Sequence, residues 1–183
     1  MTTIDSPERI FELLSAGGGE AYFGEPVTVL EHSLQAAWFV QRKGGEETLV
    51  AAALLHDLGH LLHSEGEDAA ERGLDTRHEE LGAEALAEHL PAAVLDPIRM
   101  HVAAKRYLCR ANARYLAALS LASVASLALQ GGPMSAAEAE EFIALPHAGE
   151  AITLRHADDA AKVRGLGVPE LETYRALVER LWH

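Results

Sequence analysis

Signals for starting a helix recur along this sequence, and no run of alternating β-branched residues bounded by turn residues competes with them. Ser6 sets an N-cap before Pro7, a proline at a first-turn position where its missing N–H is not needed. Thr28 with Glu31, Thr76 with Glu79, and Ser135 with Glu138 each fit the reciprocal S/T-x-x-E capping box. Pro91 and Pro169 suit first turns, and Gly44–Gly45, Gly131–Gly132 and Gly165/Gly167 fall where helices should stop. The spacing predicts helices over 6–16, 28–43, 46–62, 76–90, 92–103, 112–129, 135–144, 148–163 and 169–181. The polar stretch from Ser64 to Asp75 reads as a surface loop. No linker or repeat divides the chain, so residues 1–183 are expected to form one all-α domain, a bundle of about eight or nine helices.

Charge limits the partners. Fifteen Lys and Arg stand against 28 Asp and Glu, a formal charge of −13. Such a surface repels nucleic acid and anionic lipid, so neither is expected as a partner. An anionic small molecule would need a local basic spot or a metal ion to draw it in. The lone cysteine, Cys109, permits no internal disulfide and fits the reducing cytoplasm; it reads as a small packing residue. The start of the chain carries Asp5 and Glu8 and does not resemble a signal peptide. Apolar runs such as Val50–Leu55 are far too short to span a membrane.

Ten histidines are many for this length, and their placement is informative. His56 and Asp57 follow the apolar run Ala51-Ala-Ala-Leu-Leu55, so they should sit near a core. A buried carboxylate beside an imidazole is costly unless something compensates, and a metal ion does so well. His60, four residues after His56, is expected on the same helical face. His32 lies in an apolar-periodic helix, where a lone histidine is more often a satisfied core residue than a ligand. His78 falls in a first turn, where the helix dipole favours the neutral ring that a metal requires. His101 with Lys105, and Asp158 with Arg155 and Lys162, share helical faces; isolated pairs of this kind are usually solvated charge pairs.

Together these residues make a recognisable set. His32, then His56-Asp57, then a distant Asp158 resembles the HD-domain metalloprotein superfamily, and His78 and His101 are what its dinuclear members add. The strings Glu20-Ala-Tyr-Phe-Gly-Glu25, Leu54-Leu-His-Asp-Leu-Gly-His60, His101-Val-Ala-Ala-Lys-Arg-Tyr-Leu-Cys109 and Leu129-Gln-Gly-Gly-Pro-Met134 resemble one branch, the mixed-valent di-iron oxygenases that cleave phosphonates. The likeness covers roughly residues 20 to 165. It implies two iron ions, Fe(II)/Fe(III), one held by His32, His56, Asp57 and Asp158, the other by Asp57, His78 and His101, with Asp57 bridging. It implies that His60, Lys105, Ser123 and Arg155 bind a phosphonate, and that Tyr22 and Glu25 form a lid pair. Tyr22 would cover or touch the more open iron, and Glu25 would face a substrate ammonium. Tyr22, Glu25 and His60 are the candidate catalytic groups. The implied reaction uses O2 to break the carbon–phosphorus bond of a 1-hydroxyalkylphosphonate, foremost 2-amino-1-hydroxyethylphosphonate, giving glycine and phosphate.

The same superfamily implies a rival, a metal-dependent phosphohydrolase acting on a nucleotide or another phosphate ester; a non-catalytic sensor is the third reading. The remaining histidines, His63, His89, His147, His156 and His183, are expected at the surface, with His63 near enough to the His-Asp segment to support it.

Overall fold

The computed structural model describes residues 4–19, 21–22, 24–62 and 72–183. Phe23, His63 and most of the expected 64–75 loop lie outside the described residues. Among those described are ten α-helices, two turns of 3-10 helix and one isolated antiparallel bridge between Ala21 and Thr28. The all-α expectation holds, although two of the expected helices divide.

α1 (Pro7–Gly17) begins as its signals require, with Ser6 Oγ accepting from the Arg9 N–H at 3.3 Å. α2 (Val29–Arg42) opens on a complete capping box. Thr28 Oγ1 accepts from the Glu31 N–H at 3.2 Å, and Glu31 Oε2 accepts from the Thr28 N–H at 2.8 Å. α3 (Glu47–Leu55) buries every residue from Leu49 to Leu55, which makes it the central rod of the bundle. Burial of Leu54 and Leu55 alone contributes roughly 1.5–3 kcal/mol each before entropy is counted.

The expected helix 46–62 stops at Leu55. His56 closes it, Asp57 lies outside the helical region (φ −102°, ψ 9°), and Leu58–Leu61 forms a 3-10 turn. His60 therefore does not share a helical face with His56. The Thr76/Glu79 capping box does not form either. Asp75 Oδ1 accepts from the Arg77 N–H, Arg77 takes a left-handed conformation (φ 48°), and α4 (His78–Ala85) starts directly after it. α5 (Ala92–Ala111) runs eight residues past its expected end at 103 and stops where Asn112 turns to cap α6 (Ala113–Ala118). The expected helix 112–129 is split there: Leu119 is extended, and Ser120 caps α7 (Leu121–Leu129). α8 (Ala136–Ile143) keeps its capping box. α9 (Ala148–Ala160) is followed by a 3-10 turn at Leu171–Tyr174 and by α10 (Arg175–Leu181).

α5 packs most extensively on α9, and α2 on α3 and α9, with α4 against α5. The main core draws on residues from Ile4 to Val178, so both ends of the described chain contribute to it. A smaller cluster of Ala104, Met134, Phe142, Ala148 and Ala151 ties α5, α8 and α9 together. No described helix is long and apolar enough to cross a membrane.

Candidate metal centre

Six buried side chains from α2, the end of α3, α4, α5 and α9 converge beneath one cavity. His32 Nε2 and His56 Nε2 lie 3.2 Å apart. Asp57 Oδ2 is 3.4 Å from each of them, and Asp158 Oδ1 is 3.4 Å from His32 Nε2. On the other side, His78 Nε2 and His101 Nε2 are 3.0 Å apart. Asp57 Oδ1 is 3.4 Å from His78 Nε2 and 3.7 Å from His101 Nε2. Each oxygen of one carboxylate thus faces its own pair of imidazoles.

Which face each ring presents is decided behind it. His32 Nδ1 is 2.8 Å from the Ala161 carbonyl, His56 Nδ1 2.9 Å from Ala53 O, and His101 Nδ1 2.7 Å from Ile98 O. A carbonyl can only accept, so each Nδ1 carries the proton and each Nε2 turns a lone pair inward. His56 and His101 each use the carbonyl three residues back, one at the end of α3 and the other within α5. Lone pairs 3.2 Å apart repel unless a cation lies between them. Two donors about 2.1 Å from a shared ion and at right angles lie about 3.0 Å apart, close to the spacings here. The donor set of imidazole nitrogen and carboxylate oxygen suits a first-row transition metal.

The electrostatics agree. Burial alone would raise the Asp57 carboxyl, but the imidazoles of His56, His60, His78 and His32 hold it well below the usual carboxylate range. Asp158 is likewise held low against its burial, chiefly by Arg155. Burial pushes His32 down, burial and the neighbouring His60 push His78 well down, and burial and His56 push His101 to about 3. These downward shifts favour the neutral ring, the form that binds metal.

The two halves differ in exposure. His32 and His56 are fully buried and lie behind the cavity, whereas Asp57, His78, His101 and Asp158 line it. Tyr22 stacks on His32 with ring centroids 3.9 Å apart, and His60 stacks on His78 at the same separation. The Tyr22 hydroxyl donates to Asp57 Oδ2 at 2.7 Å, on the His32/His56 side and not on the more open side expected for it. Burial and the charges of Asp57 and Asp158 raise Tyr22 well above the usual phenol range, so the hydroxyl keeps its proton.

The cavity holds about 750 Å³ and is also lined by Glu25, His60, Lys105, Ser123, Arg155 and Lys162. All ten expected residues other than His32 and His56 therefore reach its wall. Lys105 is buried, donates to Ser126 Oγ at 2.8 Å, and is lowered to about 8 by burial and by Arg155. Arg155 donates from Nη1 to Asp158 Oδ2 at 2.7 Å, from Nε to the Tyr115 hydroxyl at 3.1 Å, and from Nη2 to Asp159. Its five N–H groups exceed the three these bonds use.

Several neighbours were not singled out as site residues from the sequence. Asp159 and Tyr115 brace Arg155, Ser126 holds Lys105, and Glu79 Oε2 lies 3.5 Å from His78 Nδ1. Lys162 reaches Glu25 Oε1 at 3.0 Å, whereas its spacing from Asp158 predicts a solvated pair. Glu25 stays below its usual range despite the desolvation that opposes it, through hydrogen bonds with Ser120 and Lys162. Of the histidines expected at the surface, His156 and His183 are exposed and His89 and His147 half-buried. Cys109 is buried, as a packing residue would be.

Comparison with known proteins extends these findings. The HD domain model matches residues 29–128. A [1-hydroxy-2-(trimethylamino)ethyl]phosphonate dioxygenase (glycine-betaine-forming) from Leisingera caerulea is 42% identical over 174 residues, covering 95% of this chain and 89% of that protein. A hydroxymethylphosphonate dioxygenase from Gimesia maris is 45% identical over 171 residues, covering 93% and 85%. The chain belongs to the HD-domain family, alongside proteins named as phosphonate dioxygenases.

Proposed function

We propose that this chain is an O2-dependent oxygenase that cleaves the carbon–phosphorus bond of a small 1-hydroxyalkylphosphonate, foremost 2-amino-1-hydroxyethylphosphonate, to glycine and phosphate. The observation that carries the reading is Asp57, whose two oxygens face two imidazole pairs beneath a cavity that also holds Lys105 and Arg155. In this reading two iron ions are held by His32, His56, Asp57 and Asp158 and by Asp57, His78 and His101. Iron supplies what side chains cannot, the activation of O2 and one-electron redox change. The balance closes without a further reductant: the C1–H and carbon–phosphorus bonds break, one atom of a single O2 goes to carbon and the other to phosphorus, the C1 hydrogen leaves as a proton, and carboxylate and phosphate are the products.

The chain's own residues then have defined tasks. Lys105 offers a point charge to the phosphonate and Arg155 its remaining N–H groups, which answers how an acidic protein draws an anion. Ser123 and His60 complete that wall. Tyr22 holds its proton on Asp57 and roofs His32, keeping water from the deeper half. Glu25 is the carboxylate that a substrate ammonium would meet. The relatives, named for a trimethylamino and a hydroxymethyl compound, support the reaction class while differing in the substituent they carry. We also read residues 1–183 as one domain, acting in the reducing cytoplasm on a small molecule.

The test is phosphate release from 2-amino-1-hydroxyethylphosphonate by the ferrous-loaded protein, with and without O2. Release that requires O2 is the expected result. Release without O2, supported by manganese, would instead establish the phosphohydrolase reading.

A further inference from the structure

Lys162 is placed with unusual care for a lysine just beyond a helix end. The residue before it, Ala161, has its carbonyl bound by His32 Nδ1 at 2.8 Å. The residue after it, Val163, is held on both backbone groups by Gln35, at 2.8 Å from Nε2 and 3.0 Å to Oε1. His32 and Gln35 are neighbours on one face of α2, so a single helix clamps the backbone on both sides of Lys162. From there its ammonium reaches Glu25 Oε1 at 3.0 Å, Ser123 Oγ at 3.2 Å and Ser120 Oγ at 3.3 Å. Those bonds use all three of its N–H groups. Glu25, Ser120, Ser123 and Lys162 all line the cavity.

We propose that Lys162 is a specificity-determining residue: its ammonium occupies the seat on Glu25 until a substrate amine displaces it, and so extends the range of the site from amino-substituted 1-hydroxyphosphonates to those without a cationic side chain. The inference rests on the phosphonate reading of the cavity and deepens it. With the pair intact, this corner of the site carries no net charge, and an uncharged substituent leaves it undisturbed. A cationic substituent must displace an ammonium that is tethered beside its carboxylate at high effective concentration. Without Lys162, Glu25 would keep its hydrogen bond with Ser120 but lack a counter-ion, a carboxylate that rewards a cation and penalises an apolar group.

The experiment compares 2-aminoethylphosphonate with ethylphosphonate, which differ in the amine and lack the 1-hydroxyl group that the proposed reaction requires. Their dissociation constants are measured by calorimetry on the metal-loaded protein without O2. Lys162→Met removes a charge that attracts both phosphonates, so the ratio of the two constants isolates the amine. The ratio is expected to move toward the amine by about tenfold or more in Lys162→Met and to stay near wild type in Lys162→Arg. Glu25→Gln, which leaves Lys162 unopposed, is expected to move it the other way by about as much; this variant decides the matter if Lys162→Met does not fold. A ratio within about threefold of wild type in the folded variant overturns the proposal, as does failure of both analogues to bind wild type. Because the ratio needs no turnover, a protein that shifts as expected yet never consumes O2 would refute the oxygenase reading and leave the role of Lys162 standing.

Discussion

Asp57 joins the two halves of the site, and its replacement should therefore do more than that of any single histidine. In Asp57→Ala, metal analysis is expected to find both ions lost, whereas His101→Ala should keep the deeper one. The basic residues separate in the same way. Arg155 is bonded to Asp158, itself part of the His32 cluster, so Arg155→Ala should lower metal content as well as substrate affinity. Lys105→Ala should raise KM, by about tenfold or more, and leave the metal in place. Lys105 also sets a pH limit. Its ammonium is the binding form and titrates near 8 instead of near 10.5, so affinity should fall as pH rises through about 8. Lys105→Arg, which stays charged, should remove that alkaline limb from a KM profile. The grouping was legible in the sequence only as a set: the His56-Asp57 pair alone reads equally as a solvated helix end, and it was the apolar run before it, taken with His32, His78, His101 and Asp158, that pointed to a metal. Lys162 and Asp159 were not legible. A lysine four residues after an aspartate is most often solvated, and only the clamp from α2 turns this one toward Glu25.

Among the elements, the break after Leu55 matters most. On an unbroken helix successive residues point about 100° apart, and His60 would rise on the His56 face. The break frees Asp57 to stand between the histidine pairs and carries His60 across to stack on His78. Gly59 makes that crossing possible: a Cβ there would sit 1.9 Å from the His78 carbonyl oxygen, which no side chain tolerates. Gly59→Ala should cost about 1–3 kcal/mol in chemical denaturation and loosen the His78/His101 half of the site. No glycine or proline stands between Leu55 and Leu58, and Gly59, the first after the break, also fits the interior of a helix, so the sequence does not announce where α3 stops. The capping boxes make the same point. Thr28 and Ser135 form theirs, while Thr76, with the same spacing, is pre-empted by the Asp75–Arg77 turn. Local patterns located the helices, and tertiary packing decided where two of them divide.

Across the whole molecule, an acidic exterior surrounds a cavity wall that carries Lys105, Arg155 and Lys162. Its centre sets inward-facing lone pairs against one another, so the metal-free protein is strained at its core. Removing metal with a chelator should lower the melting temperature by roughly 5–10 °C, and readdition should restore it. The order of the ligands along the chain has a further consequence, for synthesis. The residues that face the cavity from Asp57 to His101 have all left the ribosome while α9 is still unmade. The deeper cluster lacks Asp158 until then, and His32 lacks the Ala161 carbonyl that orients it. A nascent chain therefore presents the ligands of the shallow half first, and the set for the deeper half is complete only once α9 has been made.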